Sequence, residues 1–385
     1  MPQVAILIPT MNRPEFLIRS LRYYASVKSP HPVYIGDSSN AEHQERIENV
    51  IQELQSQIKL YYYRWPGLND RQTIADLGKE VKEPYCAFIG DDDFFVPESL
   101  SKCVQYLEEN PEYRTAQGKA VLFSLEKPGP FGAMDGFGPY WSNNEAEERT
   151  GVKRILEFGQ NYWVPQFSVH RRHEFLEDSM DYGNIKDKSF GELLHSYTFI
   201  IKGKSKFIDC LYLFRQGHDA RYVTPDIFDW ITGPDWQPSF RLFMKSLTSA
   251  LMETDRISES VAHEAVKQAF WAYLANGILR KYQGKYGQTS SSKQNAKING
   301  NINTQESLRE LVKKIPGTRQ ATALLRNTKT SIGKHFVSRN KEDLLARQAE
   351  KGKLTLPALL HSSSPYHDEF MPVYEVITGQ PITLK

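Results

Sequence analysis

The first ninety residues alternate between short apolar runs and amphipathic segments at helical spacing, and no other feature restricts the chain as much. Val4-Ala5-Ile6-Leu7-Ile8 is a continuous apolar run, as a strand covered on both faces requires. Pro14 opens a segment with Phe16, Leu17, Leu21 and Tyr24 on one side, ending before Pro30. Val33-Tyr34-Ile35 gives a second strand, stopped by Gly36-Asp37-Ser38-Ser39. Ile47, Val50, Ile51 and Leu54 recur at helical spacing, and Leu60-Tyr61-Tyr62-Tyr63 forms a third strand. A helix over Asp70 to Lys82 and a strand over Tyr85 to Ile89 follow. Strand–helix repeats of this length imply right-handed crossovers and a mostly parallel, Rossmann-like sheet, so the fold class is α/β. Ligands of such sheets bind beyond the carboxyl ends of the strands. The loops at 10–13, 37–40, 67–71 and 90–93 are therefore where function is expected.

The pattern continues with a helix over Lys102 to Arg114, a strand over Gly118 to Leu125 and a long loop over 127–151, rich in Gly, Pro, Asn and Glu. A strand is expected over Trp163 to Arg172, a helix over Gly191 to Lys202 and a strand over Phe207 to Phe214. After Pro238 the α/β pattern fades. Residues 240–283 are helical in spacing, 284–304 read as a polar mobile linker, and 309–353 are basic. The expected division is an α/β domain over 1–238 and a mainly helical C-terminal region over 239–385. The basic segment is either a solvated helical face, the commoner case for a charge run, or a surface for anionic lipid head groups.

Charge narrows the function classes. Lys plus Arg is 48 and Asp plus Glu is 46, so the chain lacks the basic field of a dedicated nucleic-acid binder. Cys86, Cys103 and Cys210 are scattered and odd in number, which fits neither a disulfide framework nor a zinc cluster and favours a reducing compartment. No stretch approaches the roughly 20 apolar residues of a membrane helix. The expected location is cytoplasmic, with peripheral contact to the inner face of a membrane through 309–353.

The densest chemistry lies in Gly90-Asp91-Asp92-Asp93-Phe94-Phe95-Val96-Pro97. Three adjacent carboxylates after a buried strand repel one another, and a hard divalent cation would remove that penalty while keeping positions open for phosphate. The competing reading is a turn that caps the helix opening at Pro97. Asp37, at the end of the second strand, can accept from a base N–H or a ribose hydroxyl, although a turn and helix cap explains it as well. Arg71 can grip a diphosphate or sit as an ordinary surface residue.

Val4 to Arg13 with Pro9-Thr10-Met11-Asn12-Arg13, then Gly36-Asp37-Ser38-Ser39, then Asp91-Asp92-Asp93 with Pro97, resemble the nucleotide-diphospho-sugar transferases, more narrowly the family-2 glycosyltransferases of GT-A fold. The resemblance covers roughly residues 1–220 and implies a GT-A domain with a donor half near 1–125 and an acceptor half near 126–238. It implies nucleotide-sugar contacts from Pro9, Thr10, Asn12, Arg13, Asp37, Arg71, Asp91 and Asp92. It implies a Mn²⁺ or Mg²⁺ ion at Asp92, Asp93 and His218. Gly90 stands where the family usually has the first Asp of its motif, and Ile74-Ala75-Asp76 where it usually has Ala-Arg-Asn. Downstream, Gly191-Glu192, Gly203 and Arg215-Gln216-Gly217-His218 match the family's order of an acidic helix start, a glycine, a strand and an Arg–His pair. That match implies Glu192 as the general base, with Asp187 in reserve and Arg215 on the leaving diphosphate. For Glu192, complementarity with a helix dipole is the alternative. Sugars present apolar C–H faces to aromatic rings, so Tyr140, Trp141 and the run Trp163-Val164-Pro165-Gln166-Phe167 are expected at an acceptor site. Core packing is the alternative, and the preferred one for Phe167.

The function so implied is metal-dependent, inverting transfer from a nucleotide-diphosphate sugar to a saccharide or lipid-linked saccharide, as in surface polysaccharide assembly. A sugar-phosphate nucleotidyltransferase is disfavoured because Pro9-Thr10-Met11-Asn12 is not a Gly-rich phosphate loop. A non-catalytic binding module is the remaining alternative.

Overall fold

The computed structural model describes residues 2–141, 144–179, 185–218, 225–285 and 342–379. The linker 284–304 and the basic segment 309–353 fall largely outside the described residues. Among the described residues, no helix is long and apolar enough to cross a membrane.

The chain is α/β, as its pattern requires. Strands β1 (Val4–Thr10), β2 (Val33–Asp37), β3 (Leu60–Arg64) and β4 (Tyr85–Phe88) alternate with helices α1 (Pro14–Ser26), α2 (Ala41–Leu54) and α3 (Asp70–Glu80). Beyond them come β5 (Phe94–Phe95), α4 (Pro97–Glu109), β6 (Tyr113–Leu125), β7 (Met134–Trp141), α5 (Gly151–Gln160), a 3₁₀ turn at Pro165–Phe167, β8 (Val169–Arg171), α6 (Arg172–Asp178), α7 (Lys188–Lys202), β9 (Lys204–Gln216) and α8 (Ile227–Ile231). The sheet runs β3-β2-β1-β4-β8-β6-β9-β5, with β7 paired to β6. β1 is parallel to β2 and β4, and β2 to β3. β8 is antiparallel to both β4 and β6, and β9 is parallel to β6. Six strands therefore point the same way. The carboxyl ends of β1 and β4 open on the same edge as those of β6 and β9.

Helix α4 lies five residues ahead of the expected 102–114, with Tyr113 and Arg114 already in β6, and two further elements differ from the expectation. Residues 134–141, expected within a loop, form β7, paired antiparallel with β6 from Ala120↔Trp141 to Leu125↔Met134. Its Gly and Pro residues hide the strand, but the partner strand supplies the ladder that their low propensity does not. The stretch Trp163 to Arg172 yields a three-residue strand, because Pro165 opens a 3₁₀ turn instead.

A first compact unit comprises residues up to Leu274, with Leu354–Leu356 and the described residues from Tyr366 onward. The expected division at 238/239 thus falls inside it. The reason is apolar burial: α9 (Trp236–Asp255) and the first part of α10 (Glu259–Lys285) pack on α5 and α7. Phe190 lies fully buried at their centre, against Trp230, Phe243 and Phe270. Truncating such a ring to Ala costs about 3–5 kcal/mol. The second unit includes a helix α11 over residues 342–350 and most of α12 (Leu356–Leu360), where Ala349, Ala358 and Leu359 are buried. The last helix, α13 (His367–Thr378), belongs to the first unit, where Phe370 meets Phe137 of β7 and Phe214 of β9.

Candidate active site

A cleft of about 1200 Å³ lies over the carboxyl edge of the sheet. The structure brings Pro9, Thr10, Arg13, Arg71, Asp92, Gln166, Glu192, Arg215 and His218 onto its lining. Segments far apart in sequence converge there, among them the β1–α1 loop, the start of α3, the turn after β4, the 3₁₀ turn, the start of α7 and the end of β9.

The turn after β4 buries all three aspartates and supplies each with partners. Asp91 is 0% exposed, accepts from the Thr10 hydroxyl at 2.7 Å and pairs with Arg13. Asp92 pairs with Arg13 at 3.2 Å and with His218 Nε2 at 2.8 Å. Asp93 accepts from Arg215 Nε at 2.8 Å and from the Gln216 backbone N–H at 2.9 Å. The backbone of the turn is pinned as well. Ser20 Oγ donates to Asp91 O at 2.9 Å, and Arg19 Nη2 donates to Asp92 O at 2.7 Å. Arg19, fully buried, also donates to Gln216 Oε1 at 2.7 Å and to Pro130 O. A Cβ at Gly90 would collide with Asp92 Oδ1, so a side chain at Gly90 conflicts with this arrangement of Asp92.

The charges follow from that geometry. Burial and the neighbouring Asp92 push the Asp91 carboxyl up to about 7, against the pull of Arg13 and Thr10. Burial works against ionised Asp92 too, but His218, Arg13 and Arg215 outweigh it and hold this carboxyl below the usual range. Burial raises Asp93 despite Arg215. It also draws Arg19 down to about 10. Arg215 is held charged by Asp93 in spite of its burial, and it lies over the Phe167 ring at 4.4 Å and the Tyr140 ring at 4.9 Å.

These partners test the expected metal ligands. Asp92 and His218 meet at 2.8 Å on the cleft wall, and among the described residues no group of three His, Cys, Asp or Glu side chains is placed to hold a metal ion. Asp93 does not fit, since each of its oxygens already accepts from Arg215 or Gln216 and it is off the lining.

Glu192 stands on another wall, in the second turn of α7. Asp187 caps that helix, accepting from the Phe190 N–H at 2.8 Å, and both its oxygens lie 3.0 Å from Trp230 Nε1. The reserve base is thus committed to capping. Glu192 is half-buried and reaches the cleft, and its Oε1 accepts from the Tyr162 hydroxyl at 2.8 Å. Gln166 donates to the Glu192 carbonyl at 2.8 Å. Arg71 holds the entry to α7, donating to the Ile185, Lys186 and Asp187 carbonyls at 2.7, 3.3 and 3.1 Å. Gly191 permits that approach, because a Cβ there would meet Arg71 Nη1 at 2.5 Å.

Several expected residues stay off the lining. Asp37 is 0% exposed, accepting from the Ser39 N–H at 2.7 Å and the Tyr62 hydroxyl at 2.6 Å, which is the turn reading. Asn12, at φ 55°, ties the β1–α1 loop to the β2–α2 loop through the Asn40 N–H at 2.9 Å. Trp141 turns inward and donates to Gly118 O at 2.9 Å, while its neighbour Tyr140 faces the cleft. Trp163 packs edge-on against Phe158 in the core. Phe167, expected in the core, reaches the lining beneath Arg215. Of the two neighbours expected at the acceptor platform only Tyr140 reaches the lining, since neighbours on a strand face opposite ways. Arg19 and Tyr162 carry no local sequence signal.

The sequence matches no family model and no curated protein. Among solved structures the chain is similar to TarS of S. aureus at 14% identity and TM-score 0.48, covering 74% of this chain and 46% of that one. The chain thus spans about half the length of that protein. TarS residues 1–349 in complex with UDP-GlcNAc align at 14% identity and TM-score 0.48, over 74% of this chain and 76% of that one. The UDP complex of the same fragment aligns at TM-score 0.42, over 75% and 74%. At 14% identity most positions differ, and what the cleft binds must be read from its own residues.

Proposed function

We propose that the chain is an inverting glycosyltransferase using a nucleotide-diphosphate sugar. One observation carries the reading: one cleft at the carboxyl edge of the sheet is lined both by Asp92 of the aspartate corner and by Glu192, a carboxylate with no ion pair among the described residues. Its volume of about 1200 Å³ suits a ligand larger than an ordinary metabolite, whose sites run to roughly 1,000 Å³.

In the proposed reaction the acceptor hydroxyl oxygen bonds to the anomeric carbon. Glu192 takes the proton, and the bond from that carbon to the phosphate oxygen breaks with its electron pair leaving on the nucleoside diphosphate. Arg13 lines the cleft with 29% of its side chain exposed and offers positive charge near that leaving group. Asp92 and His218 would hold a Mn²⁺ or Mg²⁺ ion, which supplies further charge for the departing diphosphate. The acceptor side is formed by Tyr140, Phe167 and Gln166. A saccharide or lipid-linked saccharide, as in surface glycoconjugate assembly, is the acceptor class we favour, with the basic segment 309–353 against anionic lipid.

Thermal unfolding with UDP and with GDP, each with and without Mn²⁺, tests the donor reading. A ligand at one hundred times its dissociation constant adds about 2.7 kcal/mol. The expected result is a clear rise with one nucleotide, and slow release of it from the matching sugar donor. Glu192→Gln should keep the rise and lose turnover by about 10²-fold or more. No shift with either nucleotide, or wild-type turnover by Glu192→Gln, would reject the reading.

A further inference from the structure

The Glu192 carboxylate is oriented, and the residue that orients it lies outside every motif in the sequence. Tyr162 sits between α5 and the 3₁₀ turn at Pro165–Phe167. Its hydroxyl donates to Glu192 Oε1 at 2.8 Å and lies 3.4 Å from Ser196 Oγ, one turn further along α7. Its ring packs between Phe158 of α5, tilted at 5.2 Å and 57°, and Tyr273 of α10, edge-on at 5.0 Å and 71°. Three helices thereby fix where the hydroxyl points. The Glu192 main chain is fixed from the same short segment, by Gln166 Nε2 on its carbonyl at 2.8 Å.

We propose that Tyr162 is a positioning residue for the transfer reaction: it holds Oε1 of Glu192, so that Oε2 is the oxygen presented to the acceptor hydroxyl. This rests on the reading of Glu192 as the base. A carboxylate on a flexible stem has several rotamers, and only some face the cleft. A hydrogen bond to one oxygen selects among them without neutralising the charge, because the donor is a neutral hydroxyl. The hydroxyl keeps its proton, since burial and the nearby Glu192 charge raise it well above the ordinary tyrosine value. No charged partner of Glu192 occurs among the described residues, in contrast with every aspartate of the corner. The proton taken from the acceptor passes from Oε2 to solvent through the open cleft.

Tyr162→Phe keeps the ring between Phe158 and Tyr273 and removes the hydroxyl alone. The full chain is assayed for release of nucleoside diphosphate from UDP-glucose, UDP-N-acetylglucosamine and GDP-mannose with Mn²⁺, beside wild type, Glu192→Gln and Ser196→Ala. Misplacing a reacting group by about 1 Å costs on the order of 10²-fold, so Tyr162→Phe should lower kcat by about 10- to 100-fold with KM for the donor unchanged. Its melting temperature and its nucleotide-induced rise should match wild type, and Ser196→Ala should turn over nearly as wild type does. Unchanged kcat in Tyr162→Phe, or a kcat loss matched by weaker donor binding or a lower melting temperature, overturns the positioning role. If Glu192→Gln retains turnover, or wild type releases no nucleotide from any donor, the base reading fails first and takes this role with it. Loss in Glu192→Gln with none in Tyr162→Phe rejects the tyrosine alone.

Discussion

On the wall built by β1, β4 and β9, three carboxylates are buried and each is met by a guanidinium or an imidazole. On the wall built by the 3₁₀ turn and α7, the one carboxylate is half-buried and its side-chain partner is a neutral tyrosine. The first arrangement spends its charges on one another: removing any member strands a buried ion, so the corner is rigid and bound to the stability of the fold. The second leaves a carboxylate with no ion pair among the described residues, which suits proton abstraction. In the proposed reaction the first wall holds the ligand and the second reacts with it.

The comparison breaks most visibly at Arg215. Arg215→Met should leave Asp93 buried with only the Gln216 N–H, at a cost of about 3–5 kcal/mol in urea unfolding. Glu192→Gln should change stability by no more than about 0.5 kcal/mol. Similar losses in both variants would mean that the two walls do not differ in this way.

A smaller effect tests what lies behind the second wall. His170 of β8 and His195 of α7 are buried against the Phe199 ring, at 4.2 and 4.3 Å. Burial, with Arg114 nearby, lowers His170 to about 3, and burial lowers His195 as well. The unfolded chain then binds more protons than the folded one below about 6.5, so stability falls with pH from there toward 3. Between pH 7 and 5.5 each such histidine should cost about 1 kcal/mol. Melting curves over that range should steepen in wild type and flatten in His170→Phe; equal slopes would show that His170 is not held neutral.

The smallest effect separates neighbours on β7. Trp141→Phe gives up one hydrogen bond to Gly118 O, worth about 1 kcal/mol, and should leave nucleotide binding untouched. Tyr140→Phe removes the hydroxyl that accepts from Arg215 Nη1 at 2.7 Å and should lower transfer to the acceptor with little loss of stability. The reverse pattern would place the wrong face of β7 on the cleft.

Much of the first wall was legible because its residues lie in short contiguous runs. Pro9 to Arg13 and Asp91 to Asp93 each follow an apolar strand, and the sheet's polarity alone puts them on one edge. Glu192, Arg215 and His218 were reached through spacing against a family pattern. Asp37 and Asp187 show the limit: an acidic residue after a strand or before a helix can face a ligand or cap a turn, and the sequence looks the same either way. Trp141 and Trp163 show another, since an aromatic ring suits a sugar face and a core equally well.

The sequence by itself determined the order of strands and helices in the first half, the edge where function collects and the presence of three crowded carboxylates, because periodicity and local charge are properties of neighbours along the chain. Tertiary structure decided which carboxylates are paired with cations, which one meets a neutral hydroxyl, and that Arg19 and Tyr162 lie against them. Those outcomes depend on partners 30 to 126 positions away, as in Tyr162–Glu192 and Asp92–His218, and a hydrogen bond's geometry exists only once the chain has closed on itself.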